Sequence, residues 1–332
     1  MFLFAWLWIF SFFMPPSPKP DLKPVHISGE AQGTTYQLTY YAKDHPVRKI
    51  QIDSILDKID SSLSMYKPYS LISQFNRSES GLIVDAHFVK VIRKSIEVFK
   101  KTDGLFDITV QPLVQAWGFG PKPITNLPDS ATIQSLLKCV GTNNIHLRGK
   151  RLTKDVPCIK IDVNGIAQGY SVDVLADFLK KKGIKNYIIE LGGEIRVKGR
   201  KTGGEKMTIG IESPGDDGTG GHSVKAIIRL DHGAVTTSGN YEKYYMSGSK
   251  RITHLIDPKT GYPLQNEMIS ATIYAKDAIT ADGYDNALMG MGLKKALSFV
   301  IRQKNMEAYF IYHKPDGSVA DTATDGFYKL MK

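Results

Sequence analysis

The hydrophobic pattern changes its period partway along the chain, and that change limits the fold more than any other feature. Between residues 50 and 183 the long apolar patterns repeat at helical spacing. Ile52, Ile55, Leu56, Ile59 and Leu63 fall on one face with Asp53, Asp57 and Asp60 outside, and Val91, Ile92, Ile96 and Phe99 mark a second stripe over Lys90 to Lys101. A third helix is predicted from about Ser171 to Lys182, with Gly183 as its stop. Beyond it the period drops to two. YIIELG, EIRVKG, KMTIGIES, VKAIIRL and AVTTS read as short strands of a meander separated by glycine-rich turns. A helix from about Ala278 to Val300 and a strand AYFIYH follow, while HISGEAQGTTYQLTYYA, near the start, alternates as a hairpin-like pair broken at Gly33. Strands grouped in blocks between helices predict an α+β fold, not a strictly alternating parallel one.

No repeat and no linker interrupts the chain after Pro24, so residues 25–332 are expected to form one unit. A chain of 332 residues buries about three quarters of its unfolded surface without needing disulfides. The segment before it differs in kind. MFLFAWLWIFSFFM is almost wholly apolar and is followed by the stiff spacer PPSPKP. Its 14 residues are short for a bilayer span, which favours a signal peptide, with an uncleaved anchor that would hold the chain at a membrane as the alternative. Residues 1–20 are therefore read as a targeting segment plus spacer, and the chain is expected to be exported, to the periplasm or the periplasmic face of the inner membrane. The net charge of +10 is scattered, with no basic stripe longer than Lys180 to Lys182, so nucleic acid is not expected as a partner. Cys139 and Cys158 are too far apart for a CxxC motif. They either pair in an oxidising compartment or serve as two small buried hydrophobes.

Several segments hold more glycine, aspartate, threonine and aromatic residues than folding needs. SMYKPYSLISQFNRS sets Tyr66 and Tyr69 around a proline turn, where a ring can stack on a flat heterocycle, or simply sit on the surface. GLFDITVQPLVQAWGFGP carries the triplet Asp107-Ile108-Thr109, able to read a purine edge or to cap a helix. IDVNGIAQGYSVD is read as a strand passing through a glycine-rich turn into a helix start, a geometry that offers backbone N–H groups to a pyrophosphate. ELGGEIRVKG puts Gly192 and Gly193 mid-strand, where a ligand could approach the backbone or a bulge could form. In RITHLIDPKTGYP, His254 precedes Asp257 by three residues, a spacing that suits a general base beside a carboxylate. AITADGYDNALMGMG sets Asp282 and Asn286 four apart on one helical face with Asp285 nearby, oxygen donors that suit Mg2+ or, for Asp282, a helix cap.

Taken in order along the chain, these segments and GTTY resemble the ApbE family, the FAD:protein FMN transferases, over roughly residues 29 to 292. The resemblance implies a T-fold-like α+β architecture of mixed antiparallel sheets flanked by helices, two intimate lobes with a flavin groove between them. It places Gln32, Tyr66, Asp107, Ile108, Thr109, Asn164, Tyr170 and Ile256 against FAD, with the backbone at Gly192 and Gly193 holding the ligand. The family usually has methionine where Gln32 stands. For Mg2+ it implies the backbone carbonyl of Ala167, Asp282 and Asn286, the last where the family commonly has threonine. The expected reaction is Mg2+-dependent transfer of FMN from FAD to a threonine or serine of an acceptor protein, releasing AMP. His254 is the expected base and Asp257 its support. Family targets include exported subunits of redox-driven ion pumps. Two alternatives remain open from the residues alone: hydrolysis of FAD to FMN and AMP, and an exported FAD carrier without turnover.

Overall fold

The computed structural model describes residues 22–214, 222–241, 243–248 and 250–331; the apolar run and spacer at residues 1–20 lie outside them. The described chain opens with an antiparallel hairpin, β1 (Lys23–Ala31) and β2 (Thr34–Ala42). Its two-residue turn, Gln32-Gly33, has positive φ at both positions (54° and 76°), the backbone that suits a tight hairpin. Next comes α1 (Lys49–Leu63), which buries Ile52, Leu56, Ile59 and Leu63 at the expected spacing. Then α2 (Leu71–Arg77) starts at Ser70, whose hydroxyl accepts the Ser73 N–H, and β3 (Gly81–Ile83) follows. Asp85 caps α3 (Ala86–Lys101), which starts a turn earlier than expected because its buried stripe begins at Phe88, ahead of Val91 and Ile92. The short α4 (Gln111–Ala116) and α5 (Ser130–Leu137) precede β4 (Ile145–Arg148) and β5 (Arg151–Lys154), which complete a small sheet in the order β3-β5-β4.

The second half holds α6 (Asn164–Lys181), β6 (Tyr187–Leu191), β7 (Glu194–Lys198), β8 (Met207–Pro214), β9 (His222–Leu230) and β10 (His232–Gly239). It continues through β11 (Tyr244–Ser247), β12 (Lys250–Thr253) and β13 (Met268–Ala275) to α7 (Ala278–Met291) and α8 (Leu293–Ile301). It ends with β14 (Met306–His313), β15 (Val319–Ala323) and α9 (Asp325–Leu330). Eight strands form one antiparallel sheet in the order β1-β2-β6-β7-β10-β13-β14-β15. Its strands alternate between two cores. On β14, Met306, Ala308 and Phe310 face the helices α3, α6 and α7, while Tyr309 and Ile311 face the β8–β9 hairpin and Phe327 of α9.

Four expectations need correction. The strands KMTIGIES and VKAIIRL leave the meander: β8 and β9 pair with each other and cover the outer face of the main sheet. Gly192 and Gly193 are not mid-strand; with φ of 63° and 102° they form the two-residue turn joining β6 to β7. The IDVNG segment is neither strand nor turn, because α6 already starts at Asn164, with Gly165 alone off the helical backbone. The last long helix is two helices, broken at Gly292, whose φ of 71° no regular helix accepts. Cys139 and Cys158, left open above, pair as a disulfide with Cα atoms 5.4 Å apart.

Candidate active site

A cavity of about 1080 Å³ lies where α1, the start of α6 and the middle of α7 meet the loop after β12. Gln32, Tyr66, Asp107, Ile108, Asn164, Ala167, His254, Ile256, Asp282 and Asn286 all line it. Thr109, Tyr170, Gly192, Gly193 and Asp257 do not. Each of those five has another role. Thr109 is fully buried, its hydroxyl donating to Asp107 Oδ1 (2.5 Å) and accepting the Gly141 N–H (2.6 Å). Tyr170 is packed in the core, its hydroxyl 2.8 Å from His87 Nδ1. Asp257 shapes the DPKTG turn, accepting the Lys259 N–H at 2.8 Å, and faces a neighbouring hollow of about 480 Å³. The ring of His254 donates its hydrogen bond to a backbone carbonyl, not to Asp257.

That bond settles the form of the imidazole. Nδ1 lies 3.0 Å from the Lys243 carbonyl, which can only accept, so Nδ1 carries the proton and Nε2 is left with a lone pair. Burial holds the His254 pKa below its ordinary 6.5, outweighing the bond to Lys243 that favours the charged ring. A neutral imidazole with an unprotonated Nε2 is suited to take a proton.

The opposite wall is acidic and buried. Asp282 is 3% exposed, its Oδ2 accepts the Gly169 N–H at 2.7 Å, and burial pushes its pKa up to about 7, with repulsion from Asp173 adding to the rise. Close packing of α6 on α7 makes this possible: a Cβ on Gly169 would stand 2.7 Å from Asp282 Cβ. Asn286 Oδ1 accepts from Ser238 Oγ at 2.7 Å, and Asp285 Oδ2 accepts from Thr236 Oγ1 at 2.8 Å. The Ala167 carbonyl accepts from Ser171 Oγ (2.8 Å), which in turn accepts from the amide of Gln32 (2.9 Å), tying the hairpin turn to α6. Among the described residues there is no group of three or more His, Cys, Asp or Glu placed to hold a metal. A buried carboxylate with neutral oxygens around it still fits Mg2+, which takes few protein ligands and keeps water or phosphate in its shell.

Of the two roles open to Asp107, a purine edge or a helix cap, the structure shows the cap, at the start of a short 3-10 turn over Ile108–Val110. Its carboxylate accepts from Thr109 N (2.8 Å), Thr142 Oγ1 (2.7 Å) and Thr142 N (3.1 Å), so it shapes the cavity floor and leaves little capacity to read a purine edge. Tyr66, 64% exposed, stands on the rim with its ring open to stacking. Sequence reasoning missed Thr142 and Ser238, whose bonds span 35 and 48 positions, as well as Glu194 on the cavity wall and the Lys243 carbonyl. It also passed over Asp162, inside the IDVNG motif, which lines the cavity with its pKa raised to about 6 by burial.

A model of the ApbE family matches residues 32–310. The FAD:protein FMN transferase of Vibrio cholerae is 34% identical over 314 residues, covering 92% of this chain and 92% of its own. That of Haemophilus influenzae is 34% identical over 329 residues, covering 94% and 93%. The solved structure of the flavin transferase ApbE from Vibrio cholerae superposes with a TM-score of 0.83 at 32% identity, covering 93% of this chain and 99% of that one.

Proposed function

The chain belongs to the ApbE family, and on that ground we propose that it transfers FMN from FAD to a threonine or serine hydroxyl of an acceptor protein, releasing AMP. The observation that carries the reading is the pairing of two unlike walls around one cavity: a neutral His254 on one side and the buried Asp282 with neutral oxygens on the other. Tyr66 offers a ring face to a flat heterocycle, and the 1080 Å³ volume suits a ligand of dinucleotide size.

In the step itself, the acceptor oxygen attacks the phosphorus on the FMN side of the pyrophosphate. Its proton passes to His254 Nε2, the bond from that phosphorus to the bridging oxygen breaks, and AMP leaves with that oxygen. The Lys243 carbonyl keeps the Nδ1 proton in place, so Nε2 stays the basic nitrogen. Asp282, Asn286 and the Ala167 carbonyl would hold Mg2+, which supplies positive charge against the pyrophosphate.

Export is supported by the apolar run at the N-terminus and by the Cys139–Cys158 disulfide, a bond that persists in oxidising compartments. We place the acceptor in the same compartment, as an exported subunit of a redox-driven ion pump. The test is incubation with FAD, MgCl2 and a threonine-bearing domain of such a subunit, read by intact mass. A gain matching one FMN, abolished by EDTA, is expected. Free FMN and AMP without a gain would make the chain a hydrolase, and unchanged FAD would make it a carrier. Asp282→Ala that keeps Mg2+-dependent turnover would remove the metal assignment.

A further inference from the structure

The β11–β12 hairpin stands at the His254 side of the cavity and, among the described residues, its two strands pair only with each other. Their register is Tyr244↔Thr253, Tyr245↔Ile252, Met246↔Arg251 and Ser247↔Lys250. The His254 N–H donates to the Lys243 carbonyl at 3.1 Å, which makes those two a hydrogen-bonded pair. Bonded and non-bonded pairs alternate along an antiparallel ladder, so Tyr245–Ile252 is the next bonded pair. Tyr244 and Met246 therefore turn their N–H and C=O groups away from β12.

The two edges of this hairpin differ. On the β12 side, Thr253 is buried, and Arg251 leans across toward β11 while one of its guanidinium nitrogens donates to the Asn240 carbonyl (3.0 Å). On the β11 side, Tyr244 is 50% and Met246 58% exposed. The inner face is anchored: Tyr245 Oη donates to the Trp117 carbonyl at 2.9 Å, and its ring rests on Phe119. A fixed strand with an open edge is a template for a further strand.

Charge and position say which strand. Arg251 lies over the Tyr244 ring at 4.1 Å, and Lys243 heads β11 from the cavity wall, so the open edge is cationic. The same Lys243 holds His254 through its carbonyl, so a strand laid on β11 is led to the base. Resting on the transferase reading above, we propose that an extended, acidic segment of the acceptor polypeptide adds to β11 as a third strand. Its backbone pairs with Tyr244 and Met246, its carboxylates meet Arg251 and Lys243, and its next residue past Lys243 brings the reactive hydroxyl to His254. The added strand lies two spacings of about 4.8 Å from β12, and the His254 ring spans part of that distance by leaning back onto the Lys243 carbonyl, 3.0 Å from Nδ1.

Met246→Pro removes the outward N–H without touching a β11–β12 bond, and Arg251→Glu reverses the charge. Neither side chain lines the cavity. With FAD, MgCl2 and the threonine-bearing acceptor domain, each variant should raise the acceptor KM about ten-fold while FAD affinity holds at the wild-type value. Hydrogen exchange on the wild-type chain, which needs no variant to fold, should show the Tyr244 and Met246 amides slowed by the acceptor domain. An unchanged acceptor KM in both variants, or unslowed amides in the wild type, overturns the proposal while leaving the transferase reading intact. Slowing that instead follows the chain's own concentration, or that needs anionic phospholipid vesicles, also overturns it, in favour of a second copy or a membrane. A wild-type chain that splits FAD yet never adds mass to the acceptor overturns both readings at once.

Discussion

The two walls of the cavity rest on different foundations. Asp282 and Asn286 stand on α7, which belongs to a core of 36 buried residues among those described and packs on α6 with no space for a side chain at Gly169. His254 and Ile256 stand on the loop after β12; Leu255 between them reaches the large core, but Ile256 and the end of β12 rest on a satellite core that among the described residues has five members, Leu113, Trp117, Ile133, Ile252 and Ile256. A few bonds hold that satellite core. The Trp117 indole donates to the Gly261 carbonyl at 2.8 Å, Tyr245 donates to the Trp117 carbonyl, and the Cys139–Cys158 disulfide ties the end of α5 to the segment before α6. Geometry on the Asp282 side thus comes with folding itself, whereas geometry on the His254 side depends on local ties. A side-chain change in the packed first wall should cost stability and rate together, whereas loss of the His254 side chain from the second should cost rate alone.

The largest effect that separates the walls is His254→Ala. Removal of a general base costs about 10²–10⁴-fold in rate, so FMN transfer should fall by that much while the melting temperature stays within a degree or two of the wild type. A variant that loses its fold instead would break the comparison. The pH profile gives a second reading of the same residue. Burial lowers the His254 pKa, so the neutral, active ring is kept down to a pH below 6.5, and kcat/KM should fall on the acid side with an inflection below that value. The same shift acts on stability: the unfolded chain takes up the proton first, so the His254 contribution declines as pH drops through 6.5 toward the folded pKa.

Reducing the disulfide probes the satellite core as a whole. The two cysteines are 19 residues apart, and in the chain-entropy account a loop of that size is worth about 3 kcal/mol. Reduction should lower the denaturant midpoint accordingly. It should also weaken FAD binding, because Gly141 and Thr142, just after Cys139, hold the Asp107-Ile108-Thr109 floor. Stability lost with FAD affinity unchanged would show that Gly141 and Thr142 hold the floor without help from the disulfide.

Much of this was legible in the residues. The spacing of Ile52, Leu56 and Ile59 marks α1, the alternation in TTYQLTYYA marks β2, and the segments around Tyr66, Asp107, Asn164, His254 and Asp282 converge on one cavity. What escaped was of two kinds. Gly192 and Gly193 look alike as mid-strand or turn glycines until β6 and β7 are paired, since the choice rests on φ, which glycine leaves free. The second kind joins residues distant in sequence. Thr142 bonds Asp107 across 35 positions and Ser238 bonds Asn286 across 48, and no local pattern announces either. Asp257 misled for the opposite reason. Its nearness to His254 in sequence suggested partnership, but a strand end and a tight turn point the two side chains to different hollows.

Gly169→Ala tests the packed wall. The added Cβ would meet the Ala278 carbonyl at 2.5 Å and Asp282 Cβ at 2.7 Å, atoms that cannot yield without moving α6 from α7. The helix gains some propensity from alanine, so a net loss of about 2 kcal/mol is expected by chemical denaturation. Since the same shift displaces the Gly169 N–H from Asp282, Mg2+-dependent transfer should fall with stability, in contrast to His254→Ala. Full stability in this variant would mean that α7 is not held as closely as the large core implies.

The smallest effect belongs to an ion pair that joins two turns near the cavity mouth. Lys259 Nζ lies 2.6 Å from Asp103 Oδ2, linking the DPKTG turn to the turn before Leu105 and Phe106, and both side chains are largely exposed. Exposed pairs contribute little because water and salt screen them, so Lys259→Ala should change the KM for FAD by at most about two-fold and lose even that in high salt. The Asp103 carboxyl, held below its ordinary range by hydrogen bonding to Lys259, should titrate higher in the variant, which NMR can follow. A KM change exceeding that of disulfide reduction would show the two walls coupled through this surface charge, and their separate foundations would then matter less than the clasp between them.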